Sequence, residues 1–62
     1  MKGIILFEIS TLKLKNSMVK IIEDAGHSYT AVLLKKGHDK CLVKVGTKIT
    51  LNKMNVKIME EL

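Results

Sequence analysis

The chain contains no proline, no tryptophan and no arginine, and only one cysteine among its 62 residues. With no proline, four glycines and no Ser/Gly-rich stretch, it has nothing from which to build a linker. A single domain over residues 1–62 is expected. Cys41 cannot form an intramolecular disulfide. Small secreted domains usually rest on several, so a reducing, cytoplasmic setting is expected. The apolar run Gly3-Ile4-Ile5-Leu6-Phe7 is stopped by Glu8. It is too short for a signal peptide's apolar region or a bilayer span, and no membrane role is expected. Aromatic residues are nearly absent as well. Phe7 lies in the most apolar run and reads as a core residue, which leaves Tyr29 as the sole candidate for stacking on a base.

What the chain does have is lysine. All eleven basic residues are lysines against six acidic ones, a formal net charge of +5. Excess positive charge makes polyanions natural partners through phosphate neutralisation and counterion release. Specific readout of base edges favours the planar fork of arginine, so contact with a nucleic-acid backbone fits better than sequence reading. The plainer role of surface lysine is to keep a domain soluble and its sheet edges unpaired. The hydrophobic fraction of 47% suits a folded domain. A chain this short buries a modest share of its surface, and an interface between two copies would add to it.

The patterning predicts α+β, in the order β-α-β-β-(β)-α. Gly3–Ile9 (GIILFEI) reads as a strand covered on both faces. Over Leu12–Ala25, a wheel of about 100° per residue gathers Leu14, Met18, Ile21, Ile22 and Ala25 on one side. Lys13, Asn16, Ser17, Lys20, Glu23 and Asp24 fall opposite. That predicts a helix capped by Ser10 or Thr11 and ended by Gly26. Ser28–Leu34 and Cys41–Val45 read as an antiparallel hairpin joined by Lys35–Lys40, and Lys48–Leu51 as a short further strand. From residue 52 to residue 62 a second helix is expected, capped by Asn52 or Thr50. The first strand, helix and second strand would form a right-handed parallel crossover, with both helices on one face of a mixed sheet. The alternative is an all-β SH3-like barrel in which Met18–Asp24 and Val56–Met59 are strands. A hairpin of TLKLK and MVKII about Asn16-Ser17 would also account for the alternation from Leu12 to Lys15.

For chemistry the residues offer little. His38 sits between Gly37 and Asp39 with Lys35, Lys36 and Lys40 nearby. There it could exchange a proton with a phosphodiester while the lysines hold phosphate, or simply make a polar turn. His27 follows Gly26 and reads as an end residue. His38-x-x-Cys41 supplies two metal ligands at most, too few for a structural zinc site, and Cys41 reads as a small core hydrophobe. No phosphate loop or nucleophile triad is present, and no metal, cofactor or small-molecule substrate is expected.

The stretch MVKIIEDAG, then Gly37-His38, then a closing helix resembles in outline the HicA-type ribonuclease toxins. Those are short chains with a helix, a three-stranded sheet, a final helix and a histidine after glycine in a hairpin. The resemblance would imply a ribonuclease acting through His38. The sequence departs from the pattern in lacking a serine between glycine and histidine, and in placing an apolar strand before the helix.

The leading expectation is a non-enzymatic interaction domain meeting nucleic acid or an acidic protein. Its contacts would come from Lys35, Lys36 and Lys40 on the hairpin and Lys13 and Lys20 on the outer helix face, and it could form a homodimer. The alternatives are the His38 ribonuclease and a phage or mobile-element product that binds one host protein.

Overall fold

Met18–Asp24, expected to be helical, is a strand. The structure is a computed structural model that describes residues 1–59. Its elements are β1 (Lys2–Ile5), β2 (Met18–Asp24), β3 (Ser28–Lys35), β4 (Lys48–Asn52) and β5 (Val56–Met59), with a 3-10 turn at Lys53–Asn55. The strands form a five-stranded sheet in the order β4-β3-β2-β1-β5, every pair antiparallel. The described residues contain no α-helix, and thus none long and apolar enough to cross a membrane.

The α+β expectation is therefore corrected to all-β. Both segments that the SH3-like alternative makes strands are strands. No parallel crossover exists, because β1 runs antiparallel to β2 and to β5. Cys41–Val45 is not a strand, so β3 pairs with β2 and β4 instead. At the C-terminal end, the 3-10 turn and β5 replace the expected helix. Asn52 does cap, its side chain accepting from the Met54 amide at 2.9 Å. Glu60, Glu61 and Leu62, the end of that expected helix, lie outside the described residues.

The strand reading of β2 rests on simple alternation. Val19 and Ile21 are buried while Lys20 between them is exposed. Ile21 pairs with Ala31 and Glu23 with Thr30, so Ile22 is an extra residue without a cross-strand partner. This bulge turns an alternating segment into one whose apolar residues mimic helical spacing. Gly26, expected to end a helix, has φ +94 and serves the tight turn between β2 and β3. There the Ala25 amide donates to the Ser28 carbonyl at 2.9 Å.

The sheet must curl. Laid flat, five strands would put β4 and β5 about 19 Å apart, at about 4.8 Å per neighbour. Four steps of chain, Asn52 to Val56, reach at most about 14 Å. The two edges are drawn toward each other, and side chains from all five strands meet inside: Ile5, Val19 and Ile21, Ala31 and Leu33, Leu51, and Val56. Leu14 and Cys41 join them from loops, at 1% and 8% exposure. The radius of gyration, 10.5 Å, matches the value of about 10.6 Å for a compact chain of this length, so the long loops pack rather than extend.

Candidate functional site

Two long loops, residues 6–17 and 36–47, leave the same end of the sheet, because Met18 at the start of β2 pairs with Lys35 at the end of β3. They are bonded to each other. The Gly37 amide donates to the Ser17 hydroxyl at 3.0 Å, and the Leu42 amide donates to the Leu12 carbonyl at 3.0 Å. Ser17 is fully buried, and its hydroxyl is the acceptor that fixes the approach. Residue 37 must be glycine here. A methyl group at that position would lie 2.5 Å from the Ser17 nitrogen and 2.6 Å from the Asn16 carbonyl oxygen, and closer still to the Asn16 carbonyl carbon.

The bonded segments are rich in lysine. Lys13 and Lys15 lie on the 6–17 loop, Lys35 ends β3, and Lys36, Lys40 and Lys44 lie on the 36–47 loop, and all six are exposed. Of the five lysines expected to act together, Lys13 lies on the 6–17 loop and not on a helix, Lys35 ends β3, and Lys36 and Lys40 lie on the 36–47 loop. Lys20 is elsewhere, on the outer sheet face opposite Val32 and Lys2. The signal missed in the sequence was Lys15 and Lys44, which separate readings of each segment left unconnected.

The two carboxylates of these loops are Glu8 and Asp39. Glu8 is turned onto its own loop, where it accepts from the Leu14 amide at 2.6 Å and the Ile9 amide at 3.2 Å. Desolvation pushes its pKa up. The backbone donors of Leu14, Ile9 and Lys15, with the charge of Lys13, outweigh that and hold the carboxyl below its ordinary value. Ser10, Lys13 and Asn16 all have left-handed φ, at 52°, 61° and 68°, so the loop is a sequence of sharp turns pinned by the Glu8 carboxylate. Away from these loops, at the far end of β2, Asp24 pairs with Lys53 at 2.5 Å. That bond to Lys53 and the Gly26 amide hold Asp24 below its ordinary pKa.

His38 lies within the 36–47 loop and is exposed. Its Nδ1 accepts from the Lys40 amide at 3.0 Å, the bond of a local polar turn, which leaves Nε2 as the open ring nitrogen. Cys41 is a core residue, its thiol 3.5 Å from the Val43 carbonyl. Among the described residues, no three His, Cys, Asp or Glu side chains come together as a metal would need, and no cavity is enclosed. His27 is exposed in the β2–β3 turn.

The two aromatic residues exchange the places expected of them. Tyr29 is half-buried against the core, and the Lys53 ammonium stands 5.0 Å from its ring centroid. Phe7 is 64% exposed. The backbone of Phe7, not its ring, is what the fold holds: its amide donates to Asn55 Oδ1 at 2.6 Å, and Asn55 Nδ2 donates to its carbonyl at 3.2 Å. The helix that linked this chain in outline to the ribonuclease toxins is β2. No family model matches the chain, and no curated protein or solved structure is significantly similar to it.

Proposed function

We propose that this protein is a non-enzymatic binding domain that meets nucleic acid through the lysines of its joined loops. The observation that carries the reading is the pair of interloop bonds, Gly37 to Ser17 and Leu42 to Leu12, which set six exposed lysines against two carboxylates. Three further features support it. Glu8 is engaged by backbone amides, the opposing acidic residue Asp24 sits at the other end of β2, and the chain's basic residues are point charges suited to phosphate.

Binding of a labelled oligonucleotide measured across a salt series tests this. Each phosphate contact contributes about 0.7–0.9 to the slope of log affinity against log salt, so replacing Lys35, Lys36 and Lys40 together by alanine should flatten it by about 2–3. Lys57→Ala, on β5, should leave the slope nearly as it was. A wild-type protein that fails to bind at low salt, or a triple variant with an unchanged slope, overturns the reading. So does selective capture of an acidic protein that survives nuclease treatment.

A further inference from the structure

We infer that Phe7 is a base-stacking platform, which makes single-stranded nucleic acid the preferred ligand of the lysine-bearing loops. This rests on the reading above and narrows it. Phe7 is a large apolar side chain left 64% exposed at the root of the 6–17 loop. Solvation does not favour that position, yet the fold secures it with three bonds from one residue 48 positions away. Asn55 closes a two-pronged amide clamp on the Phe7 backbone, and its own carbonyl accepts from the Leu6 amide at 2.8 Å. The ring is therefore displayed on backbone that Asn55 fixes. Stacking on a rigidly presented ring loses little entropy on binding, because only its χ angles remain to be ordered.

The charge beside it selects the occupant. Glu8, the next residue, reaches the Leu14 amide at 2.6 Å and so ties Phe7's segment to the peptide unit between Lys13 and Leu14. Lys13 and Lys15 are thereby held within one side chain's length of the backbone that follows Phe7. An exposed aromatic ring on a loop that also carries Lys13 and Lys15 matches a nucleotide whose base is free to stack and whose phosphate trails along the lysines. A duplex keeps its bases stacked on each other and cannot use the ring. Tyr29, half-buried and with Lys53 over its face, is not available for this role.

The test uses the full chain with an oligothymidylate strand and a duplex of equal length. Phe7→Ala should weaken binding of the single strand by about 5- to 150-fold, the range for loss of one stacked base, and leave the salt slope unchanged because no charge is removed. Duplex binding should barely change. Because the ring is exposed, the variant should keep the wild-type far-UV spectrum. Phe7→Trp supplies an independent readout, since its indole fluorescence should be quenched on adding the single strand and not the duplex. Equal single-strand affinity for wild type and Phe7→Ala, or a Phe7→Trp signal indifferent to the single strand, overturns the stacking inference while a steep salt slope leaves the role of the lysines intact. A wild-type protein that binds neither nucleic acid at low salt removes both.

Discussion

Replacing Gly37 by alanine should cost this fold far more than the same change at Gly26 or Gly46. The added Cβ would meet the Ser17 nitrogen at 2.5 Å and the Asn16 carbonyl oxygen at 2.6 Å, where real Cβ atoms almost never come under 3.0 Å. Both obstacles are backbone, pinned in turn by the Asn16 amide bond to the Ile5 carbonyl at 2.8 Å and the Ser17 amide bond to the Leu14 carbonyl at 3.0 Å. Neither can rotate away, so the 36–47 loop must retreat. Retreat stretches the Gly37 to Ser17 bond and leaves a fully buried hydroxyl without its donor, at about 1–3 kcal/mol. The residual overpacking adds about 1–3 kcal/mol. A loss of about 2–6 kcal/mol stands against a total stability of about 3–9 kcal/mol for a chain of this length. Urea unfolding followed by circular dichroism would measure it. Ser17→Ala isolates the hydrogen bond from the clash and should cost less than Gly37→Ala. Gly26→Ala and Gly46→Ala meet open space and should cost only about 1–2 kcal/mol for their left-handed φ. A Gly37→Ala protein within about 0.5 kcal/mol of wild type, the ordinary range for an unremarkable surface change, would refute the reasoning.

Two further outcomes follow from the same structure. Leu14→Ala, in a loop yet 1% exposed, should destabilise by about 2–5 kcal/mol in the same urea assay; a surface-like value would remove Leu14 from the core. Acid should weaken the fold through Glu8 and Asp24. Both carboxyls titrate below their ordinary values when folded, so the unfolded chain binds their protons first. Their contribution is present above the ordinary carboxylate range and is lost as pH falls through the folded values. Urea midpoints measured from neutral pH downward should fall, and Asp24→Asn should make that fall shallower. An acid limb identical in wild type and Asp24→Asn would exclude the Asp24 pair as a source.

Much of the chain's local chemistry was readable from its residues, and its long-range arrangement was not. The strand at Ser28–Lys35, the fourth strand beginning at Lys48, the capping Asn52 and the left-handed Gly26 all depend on neighbours in sequence. The failure at Met18–Asp24 has a specific cause. A strand with a bulge at Ile22 and a partly apolar outer face, where Met18 and Val32 are half-buried beside exposed Lys20, puts hydrophobic residues at one, three and four positions from one another. A helix does the same. Gly26 adds no discrimination, because a left-handed glycine ends a helix and turns a hairpin equally well. The decisive contact is the sheet itself: β2 takes β1 on one side and β3 on the other, and no pattern within seven residues encodes two partners.

The site divides along the same line. That Lys35, Lys36 and Lys40 share one segment follows from their spacing. That the loop carrying Lys13 and Lys15 is bonded to that segment depends on Gly37 reaching Ser17, a contact across 20 positions. Phe7 shows the principle most sharply. In a run as apolar as GIILF, burial is the sound expectation for the aromatic residue, and Ile5, two positions earlier, does follow it at 0% exposure. By alternation Phe7 would point into the same interior, but the strand ends at Ile5. From there the chain belongs to Asn55, whose amide takes both backbone groups of Phe7 in place of a strand neighbour. Leu14 and Cys41 then fill the interior from loops. Because other residues complete the core, the ring is left exposed, and the sequence distance between Phe7 and Asn55 is why only the folded chain reveals it.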